Sequence, residues 1–271
     1  MSDVSVSSHF YANLDLKPGG IRFEQPNGQF GVYTHRAPDK ETENEDSALV
    51  VHADNGVSVL AVADGMGGSM LGAQASATAI HALAASLEQA GCQAASLREA
   101  ILNGFEQANR QVVEFAVGAG TTLAAVEIQG RTIRPYHVGD SAILVTGQRG
   151  KVKLFTISHS PVGYALESGM LQEAEAINHE ERHVVSNFVG TAAMRIEVGA
   201  PLDLAANDTV LIASDGLFDN FALEEIVALV RKGALQNAIS NLVNACRDRM
   251  CSPASGHPSK PDDLTFILYR P

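Results

Sequence analysis

Apolar residues in this chain fall into short runs broken by Gly, Asp and Asn, then into two longer stretches of helical period, then into runs again. Residues 48–52 and 57–63 are β-type runs joined by Asp54-Asn55-Gly56, and they predict a hairpin. The second run ends directly on Asp64-Gly65-Met66-Gly67-Gly68. Spacing then changes: Ala73, Ala77, Ile80, Ala84 and Leu87 recur at steps of three or four. Leu97, Ile101, Phe105, Ala108, Val112 and Phe115 do the same, with Gly91 between the two sets. That period predicts two amphipathic helices, each with one face against a sheet. Strand character returns at 121–128, 132–138, 141–146 and 151–156, with short Gly-containing turns that predict an antiparallel meander. A strand at 209–214, helices at 223–230 and 235–250, a proline-rich loop at 252–261 and a last strand at 264–269 complete an α+β pattern.

Two segments fall outside this rhythm. Residues 1–29 are polar and turn-rich and are expected to form an N-terminal extension or edge element, with one domain spanning 30–271. Residues 159–188 mix Gly, Glu and His with weak helical spacing, and are expected to form a surface flap facing a substrate.

Composition narrows the function. The chain has 271 residues, of which 45% are hydrophobic and 18% charged, enough for a core without disulfide help. A net charge of −12 with no cationic track argues against a nucleic-acid partner. No run of apolar residues is long enough for a membrane span, and no basic-then-apolar leader opens the sequence. A cytoplasmic location and a monomer are expected. Cys92, Cys246 and Cys251 make no ligand pair and no Cys-x₅-Arg phosphate loop, so a covalent thiol mechanism is not expected.

The chemistry lies in carboxylates placed at strand ends and Gly-rich turns. Glu45 and Asp46, Asp64, Asp140 in Gly139-Asp140-Ser141, Asp215 in Ser214-Asp215-Gly216, and Asp262 form this set. A carboxylate closing an apolar strand needs water, a partner or a cation. Hard oxygen ligands suit Mg²⁺, Mn²⁺ or Ca²⁺ better than Zn²⁺. Asp54-Asn55-Gly56 and Asp219-Asn220 are read as plain turn formers. His159, His179 and His183 lack a zinc spacing and are read as surface or hydrogen-bonding residues. Gly67-Gly68 lacks the lysine and the glycine spacing of a nucleotide loop.

Taken in order, Asn44-Glu45-Asp46-Ser47, Asp64-Gly65-Met66-Gly67-Gly68, Gly120-Thr121-Thr122, Val138-Gly139-Asp140-Ser141, His159-Ser160, Ser214-Asp215-Gly216-Leu217 and Asp262-Asp263-Leu264-Thr265 resemble the metal-dependent serine/threonine protein phosphatases. The likeness is to the type 2C or PPM family, in its compact bacterial form, and covers about residues 30–270. It implies a four-layer αββα sandwich of two packed, mainly antiparallel sheets flanked by helices. It also implies two tightly bound Mn²⁺ or Mg²⁺ ions and a third, weaker one. In that resemblance Asp64 bridges both tight ions, Glu45 and the Gly65 carbonyl complete one site, and Asp215 and Asp262 hold the other. Asp140, sharing Asp215, serves the third, and Asp46 orients water.

The implied reaction is hydrolysis of phosphoserine or phosphothreonine in a protein, such as a kinase or its target, by a metal-bridging hydroxide without a phospho-enzyme. A catalytically inactive binding module of the same fold is the alternative, and the intact acidic set argues against it. Two departures stand out. Met66 replaces the histidine of animal relatives, and Ser158 replaces the aspartate that usually precedes His-Ser. The family's phosphate-binding arginine is also displaced: Glu41 stands where it is expected. Arg36 is expected to fold back and take that role, with Lys40 as its rival.

Overall fold

The computed structural model describes residues 4–67, 70–115, 118–252 and 257–271. Gly68 of the Gly-Gly pair and residues 253–256 of the proline-rich loop lie outside them. The strands, in chain order, are β1 (Val6–Ala12), β2 (Ile21–Gln25), β3 (Gly28–His35), β4 (Asp46–Ala53), β5 (Val57–Met66), β6 (Gly120–Thr121), β7 (Leu123–Gln129), β8 (Thr132–Val138), β9 (Ala142–Thr146), β10 (Val152–Phe155), β11 (Glu197–Val198), β12 (Leu202–Asp203), β13 (Thr209–Ala213) and β14 (Leu264–Arg270). The helices are α1 (Met70–Gln89), α2 (Leu97–Val113), α3 (Pro161–Glu167), α4 (Glu173–Ala176), α5 (Asp215–Phe218), α6 (Leu223–Val230) and α7 (Leu235–Cys251).

Two antiparallel sheets result. One runs β1-β4-β5-β7-β8-β11, with β6 added to β5 and β12 to β8; the other runs β10-β9-β13-β14-β3-β2. Strand alternation explains how they stack. Along β4, Leu49, Val51 and Ala53 join a core with α1 and α2, while Ala48 and Val50 point into the space between the sheets. Along β14, Leu264, Phe266 and Leu268 face α7, and Ile267 and Tyr269 face the inter-sheet core. A period of two on strands that are buried on both faces therefore produces three stacked cores and four layers, αββα.

The hairpin, both long helices, α6, α7 and the last strand lie where periodicity placed them. Residues before Phe30 supply an edge strand to each sheet, β1 beside β4 and β2 beside β3, and Tyr11 is buried between the sheets. One expectation changes. The expected meander is split, because β7 and β8 belong to one sheet and β9 and β10 to the other. Alternation records which face of a strand is apolar and not which sheet it joins. The turn between β8 and β9 thus becomes a crossing from sheet to sheet, and Asp140 sits on it.

Strand direction then gathers one end of the sandwich. Asp46 pairs with Asp64 across β4 and β5, Leu123 with Val138, Ala142 with Ala213, and Leu264 with His35. Every acidic motif lies at or just beyond one of these paired ends. Among the described residues no helix is long and apolar enough to cross a membrane.

Candidate metal centre

Hydroxyl groups of the short Ser and Thr motifs tie the strand ends together. Ser214 Oγ donates to Asp46 Oδ2 at 2.8 Å and accepts from the Thr265 amide at 3.1 Å, joining the two sheets. Thr122 Oγ1 accepts from the Asp64 amide at 2.9 Å and meets Ser141 Oγ at 2.7 Å. Asn44 receives the Asp46 amide on Oδ1 and donates to Thr34 Oγ1, at 3.0 and 2.9 Å. The Ser, Thr and Asn side chains of these motifs thus hold the carboxylates in register.

Backbone comes unusually close at two glycines. A Cβ on Gly65 would lie 2.1 Å from the Gly72 carbonyl oxygen and 2.7 Å from that of Glu45; one on Gly216 would lie 2.0 Å from the Asp263 carbonyl oxygen. Only glycine lets β5 pass between the Glu45 loop and the first turns of α1. The Glu45 side chain reaches the same place, since a Cβ on Gly72 would meet its Oε1 at 2.3 Å.

The structure brings Asp46, Asp64, Asp140, Asp215 and Asp262 into one electrostatic cluster. Burial first, then the charges of Asp46, Asp215, Asp262 and Asp140, raises the Asp64 carboxyl well above the usual range. Burial and Asp215 push Asp262 up to about 7, and burial, Asp215 and Asp219 push Asp140 up to about 8. Asp46 is 1% exposed, burial and Asp263 raise its pKa, and its Oδ1 has no hydrogen-bond partner among the described residues. Crowded carboxylates with an orphaned buried oxygen fit a divalent cation: all donors are oxygen, and positive charge would relieve both burial and repulsion.

Three features escaped the sequence reading. Asp219 is more than a turn former: 6% exposed at its side chain, it is ion-paired to Arg182 of the 159–188 segment and, at 2.6 Å, to Lys260. Asn220 beside it is fully buried and holds the Lys260 backbone through two 2.8 Å bonds. Asp263 closes the 36–45 loop, accepting the Ala37 and Glu45 amides, each at 2.7 Å. A run such as Asp262-Asp263 gave no sign that its two carboxylates serve different neighbours.

That closure relocates the cations. Arg36 does not reach the cluster: its guanidinium clasps Asp15 at 2.6–2.7 Å and donates to the Thr42 carbonyl at 3.0 Å. Lys40 instead lies over the site, 2.8 Å from Glu45 Oε2 and 2.6 Å from Asp263 Oδ2. Burial lowers the Lys40 pKa, but its hydrogen bonds to Asp263 and Glu45 outweigh that and raise it.

The 159–188 segment packs against the site rather than standing off it. His159 is 4% exposed. Its Nδ1 accepts the Gly139 amide at 3.0 Å, which places the proton on Nε2, 3.1 Å from Glu197 Oε2. His137, His159 and Glu197 are close enough to suggest a cation, but a protonated Nε2 serves as a donor to Glu197 and not as a ligand. The cluster therefore braces the β8–β9 crossing. Beside it, a cavity of about 160 Å³ opens between Asp140, Asp215 and Asp219 and the apolar Val162, Leu166 and Phe155.

Comparison with known proteins adds four findings. The profile of the protein phosphatase 2C family matches residues 35–250. Protein phosphatase PhpP of Streptococcus pneumoniae is 29% identical over 201 residues, 70% of this chain and 80% of its own length. Among solved structures, a serine/threonine phosphatase from S. agalactiae has a TM-score of 0.76 at 26% identity, covering 89% of this chain and 98% of that one. The PPM Ser-Thr phosphatase MsPP from Mycobacterium smegmatis, in complex with cacodylate, gives 0.71 at 27%, covering 89% and 97%.

Proposed function

The chain belongs to the protein phosphatase 2C family, and we propose that it hydrolyses phosphoserine and phosphothreonine in proteins at the acidic cluster, with Mn²⁺ or Mg²⁺ as cofactor. The buried, mutually repelling carboxylates with an unpartnered Asp46 Oδ1 carry this reading. In it, Glu45, Asp64, the Gly65 carbonyl, Asp215 and Asp262 would hold two ions, and Asp140 with Asp215 would serve a third. Bound there, such ions supply charge neutralisation for phosphoryl oxygens and make water more acidic.

The protein's own groups do the rest. Asp46, anchored through Oδ2 by Ser214, offers Oδ1 to orient and receive a proton from an attacking water. Lys40 supplies positive charge at the mouth in place of the family's arginine, and the flap cavity receives residues flanking the phosphorylated one. A thiol-phosphate intermediate has no support at Cys92 or Cys246: both are buried, and burial pushes their pKa values up to about 11 and 12. The substrate is accordingly a phosphorylated protein, of the kind a kinase or its target provides. Phosphate release from phosphoseryl and phosphothreonyl peptides should require added Mn²⁺ or Mg²⁺ and stop on chelation. Equal release of phosphate from phosphotyrosyl peptides, or none from any peptide with either metal, would sink the proposal.

A further inference from the structure

Lys260 is held in an unusual position by a short chain of contacts. Its backbone N–H donates to Asn220 Oδ1 and its carbonyl accepts from Asn220 Nδ2, both at 2.8 Å. Asn220 also donates to the Gly216 carbonyl at 2.9 Å, so the base of the lysine is fixed to the turn that carries Asp215. From there the ammonium meets three carboxylates: Asp219 Oδ2 at 2.6 Å, Asp215 Oδ2 at 3.2 Å and Asp262 Oδ2 at 3.4 Å. Asp219 is gripped on its other oxygen by Arg182.

Two of those three carboxylates, Asp215 and Asp262, are the ones the metal reading assigns to a divalent ion. Asp219 is not among the assigned ligands, and it makes the shortest of the three contacts. We propose that Lys260 is a built-in counter-cation of the metal centre, anchored on Asp219 and competing with the divalent ion for Asp215 and Asp262, and that it thereby sets how much metal the site requires. This inference rests on the metal-site reading above.

The physics is that of like charges sharing ligands. In the metal-free protein the ammonium lowers the cost of crowding Asp215, Asp219 and Asp262 together. When a divalent ion approaches Asp215 and Asp262, the same ammonium repels it across a partly buried site, where screening is weak. The lysine keeps Asp219 and gives up the other two. Loss of its charge should therefore have opposite effects on the two states: a less stable metal-free protein and tighter metal binding. A lysine that merely decorates the surface, or merely holds the loop, would not produce that pair of effects.

The test is calorimetric titration of the metal-stripped full chain with MnCl₂, with thermal melts before and after loading. Lys260→Met should bind Mn²⁺ about tenfold more tightly than the wild type, the scale of one neighbouring charge discounted for its partial exposure to solvent. Its metal-free form should melt lower than the metal-free wild type, and saturating Mn²⁺ should close the gap. Lys260→Arg should restore wild-type affinity, and Lys260→Gln carries the same expectation as Lys260→Met should the latter fail to fold. Unchanged or weaker Mn²⁺ affinity in a folded neutral variant overturns the inference while leaving the metal site standing. A wild-type protein that takes up no Mn²⁺ overturns both.

Discussion

At the scale of single residues, one buried carboxylate, Asp263, decides which cation lies over the acidic cluster. Asp263 pins both ends of the 36–45 loop through the Ala37 and Glu45 amides. The pinched loop turns Lys40 onto Glu45 and leaves Arg36 to Asp15 on the outside. Lys40→Ala should consequently raise KM for a phosphopeptide roughly three- to tenfold, the scale of one net hydrogen bond. Arg36→Ala should leave it within about twofold, because an exposed ion pair contributes little. Steady-state kinetics on both variants checks this, and the reverse order would return the role to Arg36. Beforehand, the planar fork of a guanidinium favoured Arg36 over Lys40, the nearer of the two in sequence. Asp219 was misread for a different reason: its partners Arg182 and Lys260 stand 37 and 41 residues away, and nothing local distinguishes it from a turn aspartate.

At the scale of elements, the acidic residues were legible because each closes an apolar strand or opens a Gly-rich turn. Such positions are visible in the sequence, and antiparallel pairing brings them to one end. Asp46 opposite Asp64 is the plainest case. Sheet membership was hidden, since β8 and β9 alternate alike whether they share a sheet or not, and β1 has too few apolar residues to announce itself. The flap shows the same limit. Its weak periodicity suggested a surface flap and did not mark its anchors: Val162, Ala176 and His159 are buried, and Arg182 bonds the Phe218 carbonyl at 2.6 Å and pairs with Asp219. This single side chain ties the segment to α5. Arg182→Ala should speed amide exchange in α3 and the turns after it, while protection in β4, β5 and β14 stays as it was. Exchange measured by mass spectrometry would show it, and unchanged rates in α3 would mean that apolar packing alone holds the flap down.

At the scale of the whole molecule, two sheets and their helices bury three separate cores, and the acidic end is where the chain crosses between sheets. The stability of that end and its chemistry draw on the same groups. Ser214 and Thr122 link strands and also steady Asp46 and Asp64. On the proposed reading, the crowding of carboxylates that Lys260 and Lys40 offset would be relieved most fully by divalent ions. The central claim is that one acidic cluster both binds those ions and hydrolyses phosphoprotein. It is tested most directly by titrating Mn²⁺ into wild type and Asp64→Asn while following calorimetric binding and phosphate release from a phosphothreonyl peptide in parallel. The account predicts that wild-type release rises with metal occupancy, and that folded Asp64→Asn loses tight binding and at least about nine-tenths of turnover together. Substantial release by Asp64→Asn, or by wild type after the metal is stripped, would contradict it.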